Sequence, residues 1–240
     1  MSKPYLKILI AFTSFLVSFA PSKAGSKYAT HTLPYHSYKP SYKEISKLLY
    51  DSLKLNKLGL SEQALEYACK GYLQLENKGA LKNPDILTVC DFSKSSFEKR
   101  MFIIDMANYK MLLNTYVAHG KNSGGEYARS FSNKVRSLAS SLGFFITRNI
   151  YVGKHGLSLK LEGLEPGFND NAGRRAVVIH GAPYIGDTHL QSQYMGRSFG
   201  CPAVPKAQAQ MVINLIKDGT CLFIYHPSAK YLHGSKILNG

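Results

Sequence analysis

The chain has 240 residues, and 45% of them are hydrophobic, which is enough for one sizeable core with a helical appendage. Its formal net charge is +15, but the lysines are scattered, and the chain has no Arg-rich helix and no alternation of basic and aromatic residues. The sequence therefore excludes the common nucleic-acid-binding modules, and because no His, Cys and Asp grouping has zinc spacing, we predict no metal and no other cofactor.

The first 24 residues predict a secretory signal peptide. Lys3 and Lys7 precede an apolar run over 8–20, and small residues stand at the −3 and −1 positions of a cleavage site after Ala24. The run is shorter than the ~20 residues of a membrane span, and no other segment is long enough; an uncleaved anchor is the alternative. Cleavage removes three lysines, so the net charge falls to +12, and it predicts a periplasmic or extracellular protein. Such a basic surface either meets acidic envelope polymers or has no dedicated partner.

A helical hairpin is predicted next. Ser41 opens a capping-box pattern, apolar residues at helical spacing follow, and Gly59 is a favourable stop. A second helix is expected to start at Ser61 and to end before Gly79. Because the hairpin is too small to be stable alone, we expect it to pack on the rest of the chain.

Beyond the hairpin, the pattern changes to short β-rich runs separated by Gly- and Ser-rich loops. The runs are 86–92, 100–106, 110–118, 143–148, 157–161, 176–180 and 220–225. A helix is expected to begin at Pro205 and to stop at Gly219, whereas 134–141 is either a helical turn or a loop. The predicted organisation is a signal peptide (1–24), an extended lead-in (25–40), the helical hairpin (41–84) and a mainly β domain (85–240).

Four cysteines remain after cleavage, and in an oxidising compartment pairing is the default. Cys69 and Cys90 flank one connection and are candidates for a bridge. Cys221 lies in an apolar strand, as buried thiols do. A disulfide between Cys201 and Cys221 is the direct alternative to a catalytic Cys201, and four cysteines permit three connectivities.

One histidine and one cysteine lie in local sequence contexts that are typical of thiol enzymes. His180 ends an apolar strand, and Cys201 lies in a Gly-rich turn before the predicted helix. A free thiol is mostly protonated at neutral pH, and an imidazole or a helix N-terminus activates it. The N–H groups of Gly200 and Cys201 are candidate oxyanion donors, and Ser198 is expected to fix the turn by a side-chain hydrogen bond. The pair predicts acyl transfer through a thioester, whereas Arg175 is interpreted as a surface charge.

The segments His-Gly-Ala-Pro at 180–183 and Gly-Arg-Ser-Phe-Gly-Cys-Pro-Ala-Val at 196–204 resemble the murein L,D-transpeptidase catalytic domain family, a divergent YkuD-like branch. The resemblance implies a mainly β fold, a β-sandwich or barrel with the hairpin and a C-terminal helix packed on it. It also implies that Cys201 attacks the third residue of a peptidoglycan stem peptide and passes the acyl group to an amine, giving 3→3 crosslinks. Resolution by water, making a carboxypeptidase or endopeptidase, is one alternative, and a catalytically silent wall-binding protein is another.

The resemblance also suggests roles for residues around the pair. The carbonyl of Gly181 is expected to orient the catalytic imidazole. Phe199 departs from the family pattern, which has a histidine there. Arg197 is expected either to bind a stem carboxylate in bidentate fashion or to be a surface arginine. His119 and Tyr184 are candidate contacts along the substrate cleft, with core packing as the alternative for Tyr184. The oligomeric state is not predicted.

Overall fold

The computed structural model describes residues 39–240. Eight strands form one sheet in the order β3-β2-β1-β8-β4-β5-β6-β7. The strands are β1 (Ile86–Asp91), β2 (Met101–Asp105), β3 (Lys110–Thr115), β4 (Gly143–Gly153), β5 (Gly156–Gly163), β6 (Val178–Ala182), β7 (Ala203–Pro205) and β8 (Cys221–Tyr225). The predicted signal peptide and all but the last two residues of the predicted lead-in lie outside the described residues.

The two edge strands of this sheet approach each other. β3 ends at Thr115, but the chain that leaves it runs along β7, where the Ala118 N–H donates to the Ala203 carbonyl at 2.8 Å. Gly120 makes a second bridge, to Ser198. Because these contacts cover edges that would otherwise expose unpaired backbone groups, the sheet becomes nearly closed and barrel-like. The mainly β architecture predicted from the sequence is confirmed.

The central strands are buried on both faces, whereas one hairpin projects out of the core. Every residue of β1 and of β8 is buried, and the two strands pair in parallel, which is why both read as continuous apolar runs. β4 is longer than predicted. Its first five residues are buried and the next five are exposed, and its ladder to β5 shifts between Thr147 and Ile150. The outer half of β4 and the start of β5 therefore form a protruding hairpin.

The predicted helical hairpin is present and packs on the sheet. α1 (Tyr42–Ser52) starts with the capping box of Ser41, and α2 (Glu62–Asn77) follows. α1 ends earlier than the stop predicted at Gly59, in a series of turns. The buried face of α2 belongs to the same hydrophobic cluster as β1, β4 and β8. A Cβ at Gly71 would lie 2.0 Å from Cζ of Phe144, so this glycine allows the close approach of α2 to β4.

The helix predicted to begin at Pro205 begins later. Ala203–Pro205 is strand β7, Lys206–Gln208 is a 3₁₀ turn, and α3 (Ala209–Ile216) follows. The prediction was wrong because β7 pairs in parallel with β6, opposite His180 to Ala182, and this pairing satisfies the backbone in an extended conformation. The helix N-terminus is therefore separated from Cys201 by a strand and a turn.

Two short C-terminal helices were not predicted, α4 (Ala229–Gly234) and α5 (Lys236–Asn239). Glu165 ties them to the sheet, because its buried carboxylate accepts from the Phe144 N–H at 2.8 Å, from the Tyr231 hydroxyl at 2.8 Å and from the Ser235 hydroxyl. Burial raises the pKa of this carboxyl group. No helix of residues 39–240 is long and apolar enough to cross a bilayer.

All four cysteines are free thiols. The candidate bridge between Cys69 and Cys90 is not formed, and neither is the alternative one between Cys201 and Cys221. Cys69 lies on α2 and Cys90 on β1, both with no exposed surface and enclosed by the apolar core. Burial raises the pKa of each of these two thiols to about 12, so they stay protonated and inert at neutral pH.

Candidate active site

A cavity of about 540 Å³ opens where β6 and the turn before β7 meet the tip of the β4–β5 hairpin. Cys201 and His180 both line it, as do Tyr184, Arg197 and Ser198. Its lining also includes Lys154, His155, Arg175 and Phe199, and it contains no Asp or Glu. The structure therefore gathers most of the predicted site residues around one basic cavity.

The β6–β7 pairing brings the histidine and the cysteine to this cavity. His180 stands opposite Ala203 in the parallel register, and Cys201 lies two residues before Ala203. The Val178 N–H donates to Sγ of Cys201 at 3.5 Å, and the thiol donates to the Ala176 carbonyl at 3.6 Å. Because side chains alternate along a strand, Val178 and His180 share one face of β6, and both line the same cavity as Cys201.

His180 is held in one tautomer. Its Nδ1 lies 3.0 Å from the carbonyl oxygen of Gly181. A carbonyl can only accept, so Nδ1 carries the proton and Nε2 is the basic nitrogen. Burial, together with His155 and Lys154, lowers the pKa of His180 against the opposing effect of the Gly181 bond. The imidazole is thus neutral at neutral pH and able to accept a proton.

Cys201 is a protonated thiol in this environment. Burial raises its pKa, while the Val178 N–H and the cations Arg175 and Lys154 oppose that rise. These groups take the place of the helix N-terminus expected from the sequence. The net effect leaves the thiol protonated at rest, so its activation requires a base such as His180 at the moment of attack.

Ser198 shapes the turn that carries the thiol. Its hydroxyl donates to the Cys201 carbonyl at 2.6 Å and accepts from the Gly200 N–H at 3.0 Å. The Gly200 N–H is therefore engaged within the turn, contrary to its expected role as an oxyanion donor. Gly200 has a φ of +121°, and a Cβ there would lie 2.8 Å from the Ala139 carbonyl oxygen. The Cys201 N–H has no acceptor among residues 39–240 and remains the candidate donor.

Arg175 is a site residue that the sequence did not reveal. It donates through Nη1 to the Ser132 carbonyl at 2.7 Å and to the Ser141 hydroxyl, and through Nη2 to the Ala139 carbonyl. It forms no ion pair within residues 39–240. Burial lowers the pKa of Arg175, against the effect of Cys201. The guanidinium thus places an uncompensated positive charge beside the thiol. The sequence does not reveal this position, because the acceptors that hold Arg175 lie in a distant loop, at 132–141.

His155 is a second residue that sequence reasoning missed. It occupies the turn between β4 and β5 and stacks on His180, with ring centroids 4.3 Å apart and planes inclined by 21°. Ser158 braces this turn by donating to the Gly156 carbonyl at 3.1 Å. From the sequence, a histidine next to Lys154 at a hairpin tip is interpreted as an exposed turn residue. Only the three-dimensional arrangement shows that it stacks on His180.

Arg197 lines the cavity, and three of its five N–H donors already have partners. Nη1 donates to the carbonyls of Lys121 at 3.0 Å and Gly124 at 2.8 Å, and Nη2 donates to the Tyr194 hydroxyl at 2.9 Å. Carboxylate binding, one of the two alternatives drawn from the sequence, is left to the two remaining N–H groups of the guanidinium. The three bonds make Arg197 a brace between two loops. Tyr184 lines the same cavity, and burial followed by the nearby Cys201 raises its pKa.

His119 does not reach the cavity. It is completely buried, and Nη2 of Arg100 donates to its Nδ1 at 2.7 Å. Its Nε2 faces the Gly124 carbonyl at 3.4 Å. The structure thus contradicts the expectation that His119 contacts substrate, because the packing of its loop turns this histidine into the core.

The family model for the L,D-transpeptidase catalytic domain matches residues 56–225. The chain is similar in structure to an L,D-transpeptidase from Mycobacterium smegmatis, with 12% identity over 59% of each chain and a TM-score of 0.38. A second L,D-transpeptidase, from Stackebrandtia nassauensis, is 9% identical to this chain. The match covers 78% of this chain and 92% of that chain, with a TM-score of 0.36. A third L,D-transpeptidase, from Xylanimonas cellulosilytica, is 16% identical. The match covers 78% of this chain and 94% of that chain, with a TM-score of 0.35.

The chain spans 59% of the length of the M. smegmatis chain that it matches. No sequence among curated proteins matches it. The family model covers more than half of the chain, and it includes both segments around His180 and Cys201. The protein therefore belongs to the L,D-transpeptidase catalytic domain family.

Proposed function

We propose that this protein is an exported cysteine acyltransferase that acts on peptidoglycan stem peptides. The observation that carries the proposal is the shared cavity, in which a partly exposed Cys201 lies with a neutral His180 whose Nε2 is the basic nitrogen. Membership of the L,D-transpeptidase family supports the substrate class. The predicted signal peptide supports a position in the periplasm or outside the cell.

The first step is acylation. Nε2 of His180 takes the thiol proton as Sγ of Cys201 attacks the carbonyl of the third stem residue, and a C–S bond forms. The oxygen of the tetrahedral intermediate becomes negative, and the Cys201 N–H is the donor positioned to stabilise it. The C–N bond to the terminal D-residue then breaks, and its amine leaves with the proton from the imidazolium. The positive charge of Arg175 favours the anionic forms along this path.

The second step resolves the thioester. The side-chain amine of a neighbouring stem attacks the acyl carbon, loses a proton to Nε2 of His180, and forms an amide that is a 3→3 crosslink. The thiolate of Cys201 leaves and regains its proton from the imidazolium. If water attacks instead, the same residues give an L,D-carboxypeptidase.

The charge of the cavity suits an anionic stem peptide. Lys154, Arg175 and Arg197 line it without any acidic residue. Arg175 and Arg197 are held by backbone and hydroxyl acceptors, so they contribute mainly as fixed charges. Lys154 is exposed and is the cation positioned to move onto a substrate carboxylate.

The test is incubation of the wild type, and of Cys201→Ala, with disaccharide-tetrapeptide muropeptides, followed by mass spectrometry. Crosslinked dimers and an acyl adduct on Cys201, with the wild type alone, are the expected result. Tripeptide and free D-amino acid without dimers would establish the carboxypeptidase. The absence of product and of any adduct, with tetrapeptide and pentapeptide donors, would contradict the enzyme proposal and favour the catalytically silent wall-binding protein. Cys221→Ala is the matched control, since Cys221 is a buried thiol outside the cavity.

A further inference from the structure

A second cavity, of about 410 Å³, lies beside the loop that anchors Arg175. Phe131, Ser132 and Lys134 form part of its wall. The carbonyl of Ser132 is also an acceptor of Arg175, which lines the cavity of Cys201. One loop thus borders the second cavity on one side and holds a catalytic-site cation on the other, although the two cavities share no lining residue.

The rim of this second cavity is positively charged. Arg129, Lys134 and Lys230 line it and are exposed, and none of them forms an ion pair within residues 39–240. No acidic residue lines it. Two acids contact lining residues, but both carboxylates are engaged. One oxygen of Asp170 accepts from the Asn133 side-chain amide at 2.7 Å and from the Gly167 N–H at 2.8 Å, and Glu165 accepts from the Tyr231 hydroxyl at 2.8 Å. Three unpaired cations around one cavity favour an anionic ligand.

Three aromatic residues line this cavity, and we call them its aromatic floor. Phe131, Phe168 and Tyr231 line it, with Phe168 edge-on to Tyr231 at 5.2 Å and 86°. The Tyr231 hydroxyl is engaged by Glu165, so this residue contributes mainly its apolar ring. Tyr231 is only 1% exposed, so the half-buried rings of Phe131 and Phe168 provide the accessible apolar surface. Apolar rings beside three cations fit a ligand that has a ring with an apolar face and carries anionic groups at its edge.

We propose that this cavity binds a second muropeptide, with a sugar ring on the aromatic floor and stem carboxylates on the cationic rim. The proposal rests on the proposed function, because it names the glycopeptide that the same enzyme would hold while it acts on another. A bare phosphate polymer would use the rim but leave the floor unused. A glycopeptide accounts for both halves of the cavity.

The experiment measures binding without turnover, in the chain that carries Cys201→Ala. The disaccharide-tetrapeptide is titrated while backbone amide NMR shifts are followed. Perturbed amides in 129–134 and 228–231 report the second cavity, and those in 153–156 and 197–201 report the cavity of Cys201. The double variant Lys134→Glu/Lys230→Glu is expected to weaken binding at the second cavity, read from the amides in 129–134 and 228–231, at least tenfold. Lys78→Glu/Lys110→Glu, which makes the same charge change on exposed residues elsewhere, is expected to stay within twofold.

Two outcomes would overturn the inference. Unchanged binding at 129–134 and 228–231 in Lys134→Glu/Lys230→Glu, or perturbations confined to the cavity of Cys201, would show that the rim does not hold the ligand. Equal affinity for inorganic phosphate, tested in parallel, would overturn the assignment of a glycopeptide. Because binding is read in an inactive variant, a failure of the proposed catalysis and a failure of this site give different results.

Discussion

Two of the four His-Gly dipeptides of this chain, at 119–120 and 180–181, lie in extended segments on either side of β7, and the fold places them in different environments. β6 continues to Ala182, so His180 lies within this strand and not at its end as predicted. His119 is completely buried, and its Nδ1 accepts from Arg100, so its Nε2 holds the proton. His180 faces the cavity of Cys201, and its Nδ1 donates to the Gly181 carbonyl, so its Nε2 is the nitrogen that can accept a proton. The same dipeptide thus occurs in two tautomers, one suited to packing and the other to proton transfer.

Two arginines, one beside His119 and the other beside Cys201, show a similar contrast. Arg100 is fully buried, donates to the carbonyls of Val117 and Lys94, and lies over the ring of Phe92 at 4.8 Å. Burial lowers its pKa to about 10. Arg175 is only partly buried and holds a loop at the edge of the cavity. One arginine lies in the core, and the other places its charge near the Cys201 thiol. The residue type and its local sequence therefore do not distinguish a buried structural position from a position at the cavity.

The largest effect is expected from the cavity histidine. His180→Gln removes the basic nitrogen and is expected to slow acyl-enzyme formation about 10²–10⁴-fold, with little change in the thermal midpoint. Time-resolved intact-mass measurement of the Cys201 adduct checks it. His233→Gln, an exposed histidine on α4, is the control. An unchanged rate in His180→Gln would place the base elsewhere.

Removing the core arginine is expected to reduce stability. Arg100→Met leaves the carbonyls of Val117 and Lys94 buried without a donor, and we expect a loss of about 3 kcal/mol in the free energy of unfolding. Urea denaturation measures the change. Arg148→Met, which removes an exposed ion pair with Glu162, is expected to cost less than about 1 kcal/mol. Equal losses in the two variants would contradict the contrast between core and surface.

The buried histidine is expected to make stability depend on pH. Burial and the adjacent Arg100 lower the pKa of His119 to about 4, below the ~6.5 of an unfolded chain. The unfolded state therefore binds more protons between these values, and the contribution of His119 is complete above pH 6.5 and is lost as the pH falls toward 4. The maximum loss is about 3 kcal/mol. Urea denaturation from pH 7 to pH 4 measures it, and a slope as steep in His119→Gln as in the wild type would contradict the assignment.

The smallest effect is expected from His155, which stacks on His180. Burial is the largest cause of the lowered pKa of His180, and the electrostatic effect of His155 adds to it, so His155→Phe, which keeps an aromatic ring but cannot be protonated, is expected to raise that pKa. The acidic limb of the pH–rate profile then moves to higher pH, while the plateau rate changes by less than about threefold. His155→Ala also removes the stack and is expected to lower the plateau. Titration of the His180 ring proton by NMR checks the shift, and identical profiles in all three proteins would refute it.

Much of the fold was predictable because its signals are local. The Ser41 capping pattern places α1, and the continuous apolar runs of β1 and β8 place the central strands. The helix predicted at Pro205 was wrong, because pairing of β7 with β6 overrides a local helix signal. The outer half of β4 was missed, because its residues are exposed and lack the burial pattern of a core strand.

The sequence by itself determined the secondary structure of most segments, the family motifs and the likeness of His180 and Cys201 to a nucleophile and its base. Only the tertiary structure decided that His119 lies in the core, that Arg175 stands beside the thiol and that His155 covers His180. The physical reason is that backbone conformation and capping depend on neighbours along the chain. The charges and tautomers of a site depend on loops that closure of the sheet brings together, such as 132–141 and the turn at 154–155.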